Sequence, residues 1–374
     1  MEGEVRQEAG PVEQLPASQE VVGDRNGWTQ WVQYGLVRAG VALFAVLPGP
    51  LRHAVLTLLA RVARALDRKH ADPAREFLTT ALGPELEPAR RERLVLGAFR
   101  HLAMVAIDSH RRRRIRGPIS ERYRFEPCER MQELLDEPRP VVLVTGHIGD
   151  WEAATLGFAS AGFRPLYVVA KPPRNRPLSI WMQRAREHQN VRLLSRYGAV
   201  EGARKVVQQG GSLGFLLDHR ATKRAVLAPF FGREALCERT SGVLLRRLGL
   251  PVVITACYRA ERDLHYRIVA PRVLEPEELS RLSPEEIATE INRTLEQLIL
   301  ACPEQYHWLH DRYRGADKAI ELREREARSK EASSKETSSI GRGRNESGSS
   351  ESGSIESGSE GIGETGAGTA EAGA

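Results

Sequence analysis

The sequence has no long hydrophobic run. Its longest uncharged stretch, Ala39 to Leu51, covers 13 residues and is broken by Pro48, Gly49 and Pro50, whereas a helix that crosses a bilayer needs about 20 apolar residues. Cysteine is scarce: Cys128, Cys237, Cys257 and Cys302 lie far apart, and no pair has zinc-ligand spacing. They read as reduced thiols of a cytosol-facing protein rather than a disulfide framework. Met1 to Gly27 lacks a basic segment followed by an apolar one, so it does not read as a signal peptide. From Asn345 onward there is no Lys or Arg; Gly, Ser and scattered Glu dominate, with little to bury, and this end is expected to be disordered. No enzyme nucleophile is evident in the sequence. The densest basic run, "HRRRRIRG" (His110 to Gly117), has no interleaved aromatics, which argues against nucleic acid. It reads as a solvated loop face, or as a contact for anionic headgroups or an acidic carrier.

What is present suits a large globular domain. The chain has 374 residues, 41% of them apolar, and a net charge of +6 that is concentrated ahead of the acidic tail. Such a body attracts anions. After a polar segment at 1–27, the lead-in at 28–70 is amphipathic. Leu51, Val55, Leu58, Leu59, Val62 and Leu66 recur at helical spacing, with Arg52, Arg61, Arg64, Arg68 and Lys69 beside them. An apolar face with a basic border, preceded by Trp28 and Trp31, is the pattern of a helix lying in an anionic membrane surface. An ordinary amphipathic helix packed on the domain, or a short anchor at Tyr34 to Leu47, are the alternatives. A domain at 71–315 follows, then a fraying helix (Ala319 to Glu336) and the tail within 316–374.

The middle of the chain alternates between strand and helix patterns. Val141–Val144, Leu166–Ala170, Val191–Leu194, Ser212–Leu217, Pro251–Cys257 and Tyr266–Val269 predict strands. Trp151–Ala161, Leu178–His188, Val200–Gln209 and Ser241–Leu248 predict helices between them. The alternation implies an α/β fold with a mostly parallel or mixed central sheet flanked by helices. Ligands in such sheets gather at the carboxyl ends of strands, and two of those ends carry titratable groups: "TGHIGDWE" and "LLDHRAT".

His147 followed by Glu152 makes an H-x-x-x-x-E box. The blocks "VVAKPPRNRPLSIWMQRAR", "GFLLDHRATKRAVLAPFFGRE", "ERTSGVLLRRLGLPVV" and "CPEQYHWLHDRYR" follow it in order. Together they resemble the bacterial lipid A secondary acyltransferase family, which also contains mycobacterial phosphatidylinositol mannoside acyltransferases. The resemblance covers Trp28 to Arg314. It implies acyl transfer from acyl carrier protein or acyl-CoA to a hydroxyl of a glycolipid or phospholipid precursor, at the cytosolic face of the inner membrane. No metal or bound cofactor is implied.

In that reaction His147 would take the hydroxyl proton and Glu152 would orient the imidazole, as the acid does in a Ser-His-Asp triad. Asp150 reads instead as the cap of the helix beginning near Trp151. Asp218 matches the family's second essential acid. Gly146 and Gly149 would let the turn's backbone approach a ligand and its amides serve as an oxyanion hole. Lys171 stands where relatives often place arginine; it, or Arg174 or Arg176 instead, would hold an anionic acceptor group. Arg239 would add to an anionic site, and Thr240 and Ser241 would cap the next helix. Phe230 and Phe231 read as core or as a border of the acyl groove. His307 and His310 read as structural residues on one helical face.

Two rival classes fit fewer features. A metal-dependent phosphoesterase would use His147, Asp150, Asp218 and His219 as ligands, but the G-N-H-[DE] box is missing. A non-catalytic membrane-surface protein on the same fold would keep the basic face without the chemistry.

Overall fold

The computed structural model describes residues 23–112, 120–187, 191–195 and 198–343, with side chains to 331. Four helices come first: α1 (Trp28–Val46), α2 (Gly49–Leu66), α3 (Arg68–Leu82) and α4 (Pro88–Arg112). Then follow β1 (Tyr123–Pro127), α5 (Glu129–Asp136), β2 (Val142–Thr145), α6 (Trp151–Ser160), β3 (Leu166–Ala170), α7 (Arg176–Glu187), β4 (Val191–Ser195), α8 (Ala199–Gln208) and β5 (Ser212–Leu216). The hairpin β6 (Ala225–Phe230) and β7 (Arg233–Glu238) leads to α9 (Arg239–Leu248), β8 (Val252–Arg259), β9 (Tyr266–Leu274), α10 (Pro276–Arg281), α11 (Pro284–Ala301) and α12 (Ala316–Gly343). The chain divides into a compact unit ending at Ile320 and a second unit from Glu321. The helix expected at Ala319–Glu336 lies within α12; the tail beyond 343 and residues 113–117 of the basic run lie outside the described residues.

Seven strands form one sheet in the order β1-β9-β8-β2-β5-β3-β4. The five from β8 to β4 run parallel, and β9 turns back antiparallel to β8 with β1 parallel to it. The central strand β2 is buried along its whole length, so its sequence is a continuous apolar run rather than an alternating one. Val142 and Val144 face a core shared with α3, α4, α9 and α11. Val141 and Leu143 face the opposite core with α5 and α6. In the parallel register of β2 and β5, Thr145 stands beside Leu216.

Ahead of the lead-in, the Gly23 amide donates to Ser179 Oγ at 2.8 Å, and Arg25 N–H to Arg174 O at 2.9 Å. In the lead-in, α2 packs through Arg52, Leu56 and Ala60, while Leu51, Leu58, Leu59, Val62 and Leu66 are exposed, Leu66 to 81%. Trp28, Trp31, Val32, Leu36, Leu43 and Val46 of α1 are exposed as well. Arg52 therefore leaves the basic border and turns inward, where its Nη1 donates to Leu47 O. Among the described residues no helix is long and apolar enough to cross a membrane.

Candidate active site

A cavity of about 530 Å³ opens at the carboxyl ends of β2, β5 and β3. His147 lies two residues beyond β2 and Asp218 two residues beyond β5, and the strand register sets them side by side. Asp218 Oδ1 meets His147 Nδ1 at 2.8 Å, and Asp218 Oδ2 accepts the His147 backbone N–H at 2.8 Å. Asp218 is buried, while the His147 side chain keeps 17% of its exposure on the cavity. Burial opposes ionisation of Asp218, but the His147 ring and its two hydrogen bonds outweigh burial and hold the carboxyl far below its ordinary range. An ionised carboxylate only accepts hydrogen bonds, so Nδ1 carries a proton and, in the neutral ring, Nε2 carries the lone pair.

Glu152 does not orient this ring. It receives Arg186 Nε on Oε2 at 2.9 Å and Arg186 Nη2 on Oε1. Burial raises its pKa, but the guanidinium prevails and keeps it below the usual carboxylate value. Both groups line the cavity. The reason is local geometry: α6 turns Glu152 toward α7, whereas Asp218 emerges from the strand hydrogen-bonded to β2. Asp150 does cap α6, accepting Ala153 N–H at 3.0 Å, and it also pairs with Arg112 and Arg259 in the interior.

The turn's glycines admit the protein's own groups rather than a ligand. A Cβ on Gly146 would sit 3.1 Å from Asp218 atoms; at Gly149, where φ is +59°, it would lie 1.9 Å from Cys257 O. The amides of His147, Gly149 and Asp150 donate to Asp218, Gln305 and Cys257, so these three do not form an oxyanion hole.

Lys171 and Thr240 line the cavity. Arg174 does not; it is exposed and lies 3.6 Å from Asp24. Arg239 opens α9 without lining the cavity, and its N–H donates to Arg224 O. The N-cap of α9 is Glu238 and makes no side-chain cap bond, while Ser241 Oγ donates to it at 3.3 Å. Thr240 and Ser241 are therefore not caps. Phe230 is buried in the main core and Phe231 packs against it; neither lines the cavity.

Three residues gain meaning only in the structure. His219 stacks on His147 with ring centroids 3.9 Å apart and planes 5° from parallel, and His310 stacks on His219 at 4.3 Å. Trp151 sets its ring against His147 at 4.8 Å and 67°. His307 and His310 lie in a turn rather than on a helix; His307 N–H donates to His147 O, and His310 Nε2 accepts Arg220 N–H at 2.9 Å. Their spacing alone suggested a helical face, although Pro303 before them and Asp311 after them are turn residues.

His147, Asp218 and His219 bring ligand atoms within 4.8 Å of one another. The stacking nevertheless disfavours a shared ion. Lone pairs of two nearly parallel rings lie in separate planes, and one metal at about 2.0–2.1 Å from both nitrogens would have to leave both planes. Asp150, the fourth ligand of the phosphoesterase reading, is committed to Arg112 and Arg259.

The histidines also set an acid limit. Burial first, then His219 beside it, lowers the pKa of His310 from 6.5 to about 3; burial, then His147, lowers that of His307 to about 4. Such a group binds its proton more readily in the unfolded chain. Its stabilising contribution is complete above pH 6.5 and is lost as pH falls toward the folded values. Asp218, depressed as an acid, adds loss of the same sign below its ordinary 3.8. The melting temperature is expected to fall from about pH 7 to about pH 4.5. In His310→Gln, which keeps an acceptor for Arg220, the slope should be shallower. Equal slopes would remove His310 from this account.

Known proteins resemble the chain over most of its length. The model of the bacterial lipid A biosynthesis acyltransferase family matches residues 26–315. The chain is 24% identical over 296 residues to the lipid A biosynthesis palmitoleoyltransferase of Escherichia coli (strain K12), covering 77% of this chain and 91% of that protein. It is 24% identical over 307 residues to the lipid A biosynthesis lauroyltransferase of the same organism, covering 79% and 94%. A lipid A biosynthesis acyltransferase of Shigella flexneri matches at 24% over 296 residues. With the family's region spanning both loaded strand ends and the cavity between them, the chain belongs to the bacterial lipid A biosynthesis acyltransferase family and is an acyltransferase.

Proposed function

We propose that this protein moves a fatty acyl chain from a thioester, on acyl carrier protein or coenzyme A, to a hydroxyl of a lipid A-type glycolipid precursor, with His147 as general base. The observation that carries the reading is the Asp218–His147 pair, which leaves Nε2 as the acceptor on a ring lining the cavity. The hydroxyl oxygen attacks the thioester carbonyl as its proton passes to Nε2. The imidazolium, stabilised by Asp218, then returns the proton to the departing thiolate. Val168, Val200, Phe215, Leu217 and Leu244 line part of the cavity and give an acyl chain an apolar wall. Lys171 and Arg220, also lining it, supply positive charge for an anionic portion of donor or acceptor. The test is direct: purified protein, an acylated carrier and the acceptor lipid, with mass spectrometry of the lipid. Gain of one acyl chain by the acceptor, retained in a strong chelator, is the expected result. A chelator-abolished reaction would restore the metal reading.

The same reading places the protein on an anionic membrane surface by way of α1 and α2. Many of their outward side chains are apolar, and Arg61, Arg68 and Lys69 among and beside them are exposed. Because Trp28, Leu36 and Leu66 face solvent, replacing all three with Glu should leave the melting temperature nearly unchanged. Sedimentation with anionic vesicles should then be lost. Salt should weaken wild-type binding only in part, since apolar burial is not screened. Unaltered sedimentation of the triple variant would place the membrane contact elsewhere.

A further inference from the structure

A helix cap needs only one short polar side chain, yet the cap of α6 is built into a buried ion network. Asp150 is completely buried and Arg112 nearly so. Asp150 Oδ2 accepts Arg112 Nη1 at 2.5 Å and Arg259 Nη2 at 3.4 Å, while Oδ1 holds the Ala153 N–H. Arg112 Nη1 also donates to the Tyr266 hydroxyl at 3.0 Å. Arg259 reaches further: Nε donates to Asp108 at 2.9 Å and Nη1 to His101 Nδ1 at 3.1 Å. Desolvating ions is costly, and well-packed apolar residues usually stabilise a core as well as a buried pair does. Stability alone therefore does not account for two guanidiniums on one carboxylate.

The network's position does account for them. Asp150 lies between Gly149, whose backbone is pressed against Cys257, and Trp151. Trp151 stands between two histidines, with His147 at 4.8 Å and His101 at 5.9 Å. Arg259 grips both the residue before Trp151 and the histidine behind it. The only freedom left to the His147 ring, once Asp218 holds Nδ1, is tilt about that hydrogen bond, and Trp151 and His219 bound the tilt on two sides. We infer that Arg112 and Arg259, acting through Asp150, are positioning residues that hold Trp151 against His147 and fix the direction of Nε2. The inference rests on the acyl-transfer reading, in which that direction sets the rate.

Asp150→Asn separates the roles, because Asn caps a helix as well as Asp does but cannot anchor two guanidiniums. Turnover should fall about 10- to 100-fold, as small misplacements of a catalytic group do, with KM unchanged. The double variant Asp150→Asn with Arg112→Met removes one of the stranded cations. Its melting temperature should recover toward wild type while kcat stays low. Recovery of kcat together with stability, or wild-type turnover in Asp150→Asn, would overturn the inference. If both variants fail to fold, Arg259→Lys decides: it keeps the charge on a partly exposed side chain, and undiminished kcat there overturns the inference. The 19F resonance of Trp151 in 5-fluorotryptophan protein, assigned through Trp151→Phe, reads the placement without turnover. Should the wild type transfer no acyl group, the functional reading fails. A Trp151 resonance unmoved by Asp150→Asn would separately defeat the positioning.

Discussion

His147→Ala is expected to lower acyl transfer by roughly 10²–10⁴-fold, the usual contribution of a positioned base, in a protein that remains folded. Removal of the ring has a second effect. It leaves the buried Asp218 with only the His147 backbone N–H from that segment, and an uncompensated carboxylate in the interior is destabilising. The melting temperature of the alanine variant should therefore drop as well. His147→Gln separates the two consequences, since its amide can donate to Asp218 but cannot take up a proton. Turnover should be as low as in the alanine variant, with a smaller loss of stability. Turnover near that of the wild type in a folded His147→Gln enzyme would end the general-base mechanism.

Asp218→Asn should cost nearly as much, and far more than Glu152→Gln. In the proposed reaction the carboxylate would fix the proton on Nδ1 and stabilise the imidazolium that forms as the hydroxyl attacks; Asn would do the second poorly and allow the wrong tautomer. A loss of about 10³–10⁴-fold in kcat is expected, with KM little changed. Glu152→Gln disturbs a different bond. It weakens the hold on Arg186 at the cavity wall, so its effect should fall on KM and on stability more than on kcat. The comparison is decisive because the H-x-x-x-x-E box implies the opposite ranking. If Glu152→Gln abolishes turnover and Asp218→Asn spares it, Glu152 orients the base during reaction despite its partner in the resting structure.

That pair of variants also marks what the sequence could and could not reveal. Strands β2, β3, β5 and β8 were legible because they are largely buried on both faces and so read as short apolar runs, and the edge strand β4 because Val191, Leu193 and Leu194 bracket its one exposed residue, Arg192. The edge strand β1, "YRFEP", is only half-buried and its charged residues hid it. The β6–β7 hairpin was hidden by the same "PFFG" stretch that drew attention as a family block, although its positive-φ Phe231 and Gly232 are a turn signal. Helix α11 had a readable start, Ser283 with Pro284 and Glu286, which forms a capping box. His147 stood out because its turn breaks an apolar run. Asp218 stood out as well, but its pairing with His147 did not, because adjacency across 71 residues depends on which strand lies beside which, and composition is silent on strand order. Proximity in the chain favoured Glu152. The Arg112 and Arg259 contacts to Asp150 were invisible for the same reason, as they join α4, β8 and α6.

The register between β2 and β5 has a consequence for how such a chain can change length. Thr145 and Leu216 are paired 71 positions apart, and His147 and Asp218 are separated by the same number. Everything between them, from α6 through α8, lies outside that pairing. Residues added or lost in the connections of this interval would alter the cavity's walls and leave the dyad in place, so variation in length there is a route to new acyl or acceptor preferences. A single residue inserted between Leu216 and Asp218 has no such freedom. It would turn the carboxylate to the other side of the strand and part it from His147 while most of the fold survived.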